Sequence, residues 1–233
     1  MRLETFEDEE SLARRSGALV VEALELGVER TGLAHLALSG GRTPERAYEL
    51  IGREPVMAHV AIWLVDERCV PPEHPDSNYA MIRRTLLDGG LVPAERVHPM
   101  QGELGPREGA EQYAQELRAH LGDRPRLDAT VLGIGPDGHT ASLFPGRATL
   151  EMDGLALPVE DSPKPPPERI TLSLGVLRDA ALNVMIVTGE EKAAALAAMF
   201  GPPSAECPAS LLERDRVAVV ADRDASGLLD ARR

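Results

Sequence analysis

Five short stretches of this chain are apolar almost without interruption: Leu33 to Leu38, His59 to Val65, Ala129 to Ile134, Leu182 to Val187 and Arg216 to Ala221. Strands covered on both faces read this way, because a parallel sheet flanked by helices leaves no wet face for polar residues to alternate onto. Helical periodicity fills the spaces between them. Glu7 to Arg30 carries Leu12, Leu19, Ala23, Leu24 and Leu26 on one stripe, with Gly32 beyond its end. Pro106 to Leu121 does the same with Ala110, Tyr113, Ala114, Leu117 and Leu121. Ser77 is placed to cap a helix through Leu87, and a further helix, AAALAAMF, follows Lys192. Two more strands, Leu155 to Val159 and Arg169 to Leu174, flank the proline-rich Ser162 to Pro167, and a short tail follows Asp222. This alternation predicts an α/β fold, a doubly wound and mainly parallel sheet with helices on both faces. The 233 residues suit a single domain over 1–233.

In such sheets ligands bind outside the carboxyl ends of the strands. Four charged or glycine-rich turns fall at predicted strand ends: Ser39 to Thr43, Asp66 to Arg68, Gly135 to Thr140, and Thr188 to Lys192. They are distant in sequence, yet the architecture predicts one rim for all four. In the first, Ser39-Gly40-Gly41-Arg42-Thr43-Pro44, Thr43 is a good N-cap and Pro44 a good first residue for a helix through about Gly52. Such a loop aims free N–H groups and a positive dipole end at an anion, here a phosphate monoester or a carboxylate. The lack of G-K-[ST] argues against a nucleoside triphosphate. Lys192 can add a point charge to the same anion, or pair with Glu190 or Glu191.

The third turn carries Asp137 and His139 two residues apart among glycines, followed by a helix-like Thr140 to Phe144 that Pro145 and Gly146 stop. An imidazole can take a proton near neutral pH, and a nearby carboxylate can fix its tautomer and raise its basicity. Gly133-Ile-Gly135-Pro-Asp-Gly138 fits G-x-G-x-x-G, with Glu160 downstream. A dinucleotide site is not expected, because Asp137 puts negative charge where pyrophosphate would sit and the helix after it is cut short. The other histidines, His35, His59, His74, His98 and His120, have no partner at a metal-ligand spacing such as H-E-x-x-H, and no metal is expected.

Composition narrows the partners. A formal charge of −13, from 38 acidic against 25 basic residues, argues against nucleic acid and anionic membranes. It also means that an anion site must gather its cations against the field of the whole protein. There is no apolar run of about 18 residues, and the acidic start MRLETFEDEE is unlike a signal peptide, so a cytoplasmic protein is expected. Cys69 and Cys207, in no C-x-x-C pair, read as reduced thiols.

Four segments carry a family resemblance in the same order: LALSGGRTPERAYELI, IWLVDERCVPPEHPDSNYAMIRRTLL, LDATVLGIGPDGHTASLFPG and RITLSLGVLRDAALNVMIVTGEEKAAAL. Together with the CPASLL and VAVVADRDA of the tail, they resemble the 6-phosphogluconolactonases over most of the chain. The resemblance implies a Rossmann-like fold and the opening of 6-phospho-D-glucono-1,5-lactone to 6-phosphogluconate, with no cofactor. It implies that Ser39, Gly40, Gly41, Arg42 and Thr43 hold the phosphate with Lys192, and that His139 activates water. Asp137 or Asp66 would then steady the imidazolium, and Arg68, with Arg169, would stabilise the oxyanion. It leaves the chain a monomer or a small homo-oligomer.

The related glucosamine-6-phosphate deaminases resemble D-G-H-I-A-F-N-E-P at the corresponding turn, whereas this chain lacks the Glu and reads Phe144 before Pro145. A sugar-phosphate sensor domain is the non-enzymatic alternative; it needs a DNA-binding module, and only one acidic helix precedes the predicted sheet. Ser142 lacks a G-x-S-x-G elbow, which weakens a serine-hydrolase reading.

Overall fold

The structure, a computed structural model, describes residues 1–230. Its elements in chain order begin with β1 (Arg2–Phe6), α1 (Glu9–Thr31), β2 (Ala34–Leu38), α2 (Glu45–Ile51), β3 (Val60–Leu64), β4 (Asp66–Arg68) and α3 (Asn78–Ile82). They continue with β5 (Val97–His98), α4 (Gly105–Leu121), β6 (Ala129–Leu132), β7 (Ala156–Val159), β8 (Arg169–Leu172) and α5 (Leu174–Asp179). The chain closes on β9 (Leu182–Val187), α6 (Ala193–Met199), β10 (Val217–Asp222) and α7 (Arg223–Asp230).

Seven strands form the main sheet in the order β1-β10-β9-β6-β2-β3-β5, and every pairing in it is parallel. The expected doubly wound parallel sheet is therefore present. Its central strands are apolar because both faces are covered: β3 is buried at all five positions and β6 at all four. The polar side chains that do enter this core are paired, as Thr130 Oγ1 donating to Asn183 Oδ1 at 2.6 Å shows.

Strand order reverses between β2 and β6. From β2 the chain builds outward through β3 to β5, then crosses to the other side of β2 for β6. The loops after β2 and β6 diverge from neighbouring strand ends and open a crevice between them. The four turns singled out by sequence follow β2, β3, β6 and β9, which are four adjacent strands, so they do share one rim.

A second, three-stranded antiparallel sheet, β4-β8-β7, rises from that rim. Asp66 to Arg68, expected as a turn leaving the sheet, is its first strand: Val65 donates to Leu38 O of the main sheet, its own carbonyl accepts from Leu172, and the next residue belongs to β4.

Other differences have physical reasons. Thr140 to Phe144 is not helical. Leu143 bridges back to Thr140, Ala141 has φ of 50°, and the Thr140 and Ser142 hydroxyls are tied to Gly133 O and Asp66. Thr43 does not cap α2, which begins one residue later than expected and has no side-chain cap. The strand expected to run to Leu174 stops at Leu172, where Ser173 caps α5 through the N–H of Val176. The tail forms α7, begun by Asp222 Oδ1 accepting from Ala225 N at 2.7 Å. No described helix is long and apolar enough to cross a membrane.

Candidate active site

A cleft of about 310 Å³ opens at the switch point. All four rim turns line it, with Ser39, Gly40 and Gly41 from the β2 loop, Asp66 and Arg68 from β4, Gly133 to Gly135 and His139 after β6, and Lys192 after β9. Arg169 on β8 closes one wall.

His139 is held by its own turn. Its carbonyl accepts from Gly135 N at 2.9 Å, and its Nδ1 lies 2.5 Å from Asp137 Oδ1. The ring lies across Gly135 so closely that a Cβ there would come within 2.1 Å of Nδ1 and Cε1. The glycine spacing is therefore room for an imidazole. Burial pushes the His139 pKa below its ordinary 6.5, by more than the Asp137 carboxylate raises it. Burial works against charge on Asp137 too, but the hydrogen bond and charge of His139, with Lys164, outweigh it and hold that pKa below the ordinary 3.8. Near neutral pH the carboxylate is ionised and can only accept, so Nδ1 carries the proton and Nε2 keeps the lone pair.

Between the two acids considered as partners of His139, geometry selects Asp137. Asp66 is buried below it with other duties: its Oδ2 accepts from Ser142 Oγ at 2.7 Å, and Asn78 Nδ2 reaches its carbonyl O at 2.8 Å and Oδ1 at 3.3 Å. Asn78 also fits against the anion loop, where a Cβ on Gly40 would fall 1.8 Å from its Oδ1. Asn78 is placed by Glu67, which is buried and accepts from the N–H groups of Arg68, Asn78 and Tyr79 and from the Ser77 hydroxyl. Burial raises the Glu67 pKa despite these donors. Glu67 thus fixes β4 to the start of α3.

The two arginines differ. Arg169 is spent on the proline loop: Nε donates to Pro166 O, Nη2 to Lys164 O and more weakly to Pro165 O, and Nη1 approaches Ser142 Oγ at 3.4 Å. Arg68 donates Nη1 to Asp76 O at 2.7 Å, while its Nε is buried without a hydrogen-bond partner.

Lys192, begun by the glycine turn that Asp222 pins through Gly189 N at 2.9 Å, lines the cleft while its Nζ lies 3.2 Å from Glu191 Oε1. Lys192 thus both lines the cleft and pairs with Glu191. Arg42 is exposed and outside the cleft lining, and Thr43 turns to Thr188, with 3.2 Å between the hydroxyls, joining the β2 and β9 loops.

Lys164 and Asn78 line the cleft without having been singled out. Lys164 lies in the proline-rich Ser162 to Pro167, and Asn78 follows Ser77 at the start of a helix. The cations of the cleft, Arg68, Lys164, Arg169 and Lys192, are the local gathering of positive charge that an acidic protein needs for an anion.

Residues 7–221 match the family described as glucosamine-6-phosphate isomerases/6-phosphogluconolactonase. The chain belongs to this family. The family relatives include a 6-phosphogluconolactonase of Mycobacterium tuberculosis, 34% identical over 97% of this chain and 98% of its own. Another, from Nostoc, is 34% identical over 86% of this chain and 85% of its own. The human 6-phosphogluconolactonase is 46% identical over a shorter stretch, 60% of this chain and 56% of its own, and the match to the rat protein likewise spans 59% of that chain. Among solved structures of the family, 6-phosphogluconolactonase from Trypanosoma cruzi superposes with a TM-score of 0.88 at 25% identity, covering 98% of this chain and 96% of its own. A monomeric glucosamine-6-phosphate deaminase shares the fold, with a TM-score of 0.80 at 21% identity over 98% of this chain and all of its own.

Proposed function

We propose that the chain hydrolyses 6-phospho-D-glucono-1,5-lactone to 6-phosphogluconate, with His139 as general base and no cofactor. The observation that carries this reading is the Asp137–His139 pair, with Nε2 left as a base, facing the same cleft as an N–H-rich loop and Lys192. Names borne by full-length relatives support the substrate.

The 6-phosphate sits against Ser39, Gly40 and Gly41 with Lys192 as counter-charge, and Arg42 and Thr43 shape the loop from outside the cleft. His139 Nε2 takes a proton from a water as its oxygen attacks the lactone carbonyl carbon. The carbonyl π pair moves onto oxygen, where Arg68, which lines the cleft, stabilises it. Collapse breaks the bond to the ring oxygen, which takes the proton back from the imidazolium. Asp137 holds the ring and stabilises its charged form, while Asp66 organises Ser142 and Asn78 beneath. Arg169 acts through the proline loop, presenting Lys164 to the cleft. The ester is activated enough that the scheme requires neither a covalent nucleophile nor a metal.

Deamination fits less well. Where the deaminase-like turn has Glu before proline, Phe144 is buried with its ring 4.5 Å from that of His139, so the wall offers no second acid there. The deciding experiment follows both products from purified protein. Lactone loss faster than the spontaneous reaction, with no ammonia from glucosamine 6-phosphate, supports hydrolysis; ammonia release without lactone turnover overturns it.

A further inference from the structure

Away from the cleft, His98, Glu116 and His120 bring their ligand atoms within 4.8 Å of one another, and they are the only such group among the described residues. We propose that this triad binds a divalent transition ion of the zinc class and thereby staples the edge strand β5 to helix α4. Two imidazoles and one carboxylate form a donor set suited to Zn²⁺ or its Co²⁺ surrogate, with a fourth position left to water.

The elements present the donors for structural reasons. Glu116 and His120 are four residues apart on α4, hence on one face of the helix. His98 sits on β5, opposite Trp63 of β3, and stacks on its indole at 4.0 Å and 12°. His120 meets the edge of the same indole at 5.8 Å and lies 4.5 Å from the His98 ring. His98 is therefore immobilised and buried, while Glu116 is half-buried and His120 exposed, free to adjust. His98 Nδ1 lies 2.6 Å from Glu116 Oε1. Ligand atoms about 2.1 Å from a tetrahedral ion stand about 3.4 Å apart, so this contact opens slightly and His120 swings inward. Trp63 Nε1 donates to His35 Nδ1 at 3.2 Å, which fixes the indole from behind. In chain order the site is hard to see, because 18 residues separate His98 from Glu116.

None of the three residues lines the cleft, so the proposal stands apart from the lactonase reading. The test adds Co²⁺ to the metal-stripped full-length protein and reads visible absorption, then displaces it with Zn²⁺ and records Tm. Expected are one equivalent of bound ion, a Tm rise of about 5 °C or more in saturating Zn²⁺, and affinity about tenfold or more weaker in both His120→Ala and Glu116→Gln. Neither residue lines the cleft, so both substitutions should leave lactone hydrolysis in the absence of metal unchanged. Absence of saturable binding overturns the proposal. Binding that survives undiminished in both variants, or that is lost only in His139→Ala, also overturns it by placing the ion elsewhere.

Discussion

Arg68 and Arg169 stand directly opposite each other across the antiparallel pair β4–β8, with both side chains on the cleft. Like charges in this register are destabilising, and burial together with the Arg68 charge helps to depress the Arg169 pKa, against the pull of Asp66. The two differ in what they hold. Replacing Arg68 by Met should leave Tm at or above that of the parent while lowering kcat by about 10²-fold. Replacing Arg169 by Met should lower Tm by several degrees, since the carbonyls of the proline loop lose their donors. Thermal melts and steady-state kinetics on the two variants check the contrast; the reverse pattern would exchange their roles.

Lys192 is placed by a turn that Asp222 anchors from the neighbouring strand. Its Glu191 partner is exposed and its pair correspondingly weak, so the ammonium is available to a phosphate. Lys192→Ala should raise KM for the phosphorylated lactone by about 10- to 100-fold, with kcat much less affected and the preference over unphosphorylated gluconolactone gone. A preference that survives would put the phosphate elsewhere.

The Asp137–His139 pair sets a pH dependence. Burial lowers the His139 pKa, so the free-enzyme activity should hold as pH falls through 6.5 and decline only below it. For stability the sign is the same. A group whose folded pKa is depressed binds more protons when unfolded, so its contribution is complete above 6.5 and is lost as pH falls toward the folded pKa. The Asp137 contribution, also from a depressed pKa, is complete above 3.8 and fails below it. The kcat/KM profile, and urea midpoints of the parent and His139→Gln between pH 5 and 7.5, measure both; an acid limb centred above 6.5 would contradict the geometry.

The central strands were legible because β2, β3, β6 and β9 are nearly continuous apolar runs, and the rim followed from their parallel order. β1 was not, because Arg2 and Glu4 interrupt it and it lies at the sheet edge, where none of its side chains is fully buried. β5 is two residues long, too short for any period to show. Thr140 to Phe144 has the composition of a helix turn, but hydroxyls bound to the Gly133 carbonyl and to Asp66, 76 residues away from Ser142, override local preference. The same limit governs the site. Ser39 to Gly41, His139 and Lys192 sit at ends of strong strands and were found there. Lys164 and Asn78 reach the cleft through hydrogen bonds to the Arg169 and Glu67 side chains, five and eleven residues along the chain, which no strand or helix period records.

The most direct test is the rate of 6-phosphogluconolactone opening by His139→Ala, followed by NMR with the spontaneous rate subtracted, alongside the parent protein. General-base catalysis by Nε2 predicts a kcat lower by about 10² to 10⁴ with KM little changed. A variant that opens the lactone at the parent rate would contradict it.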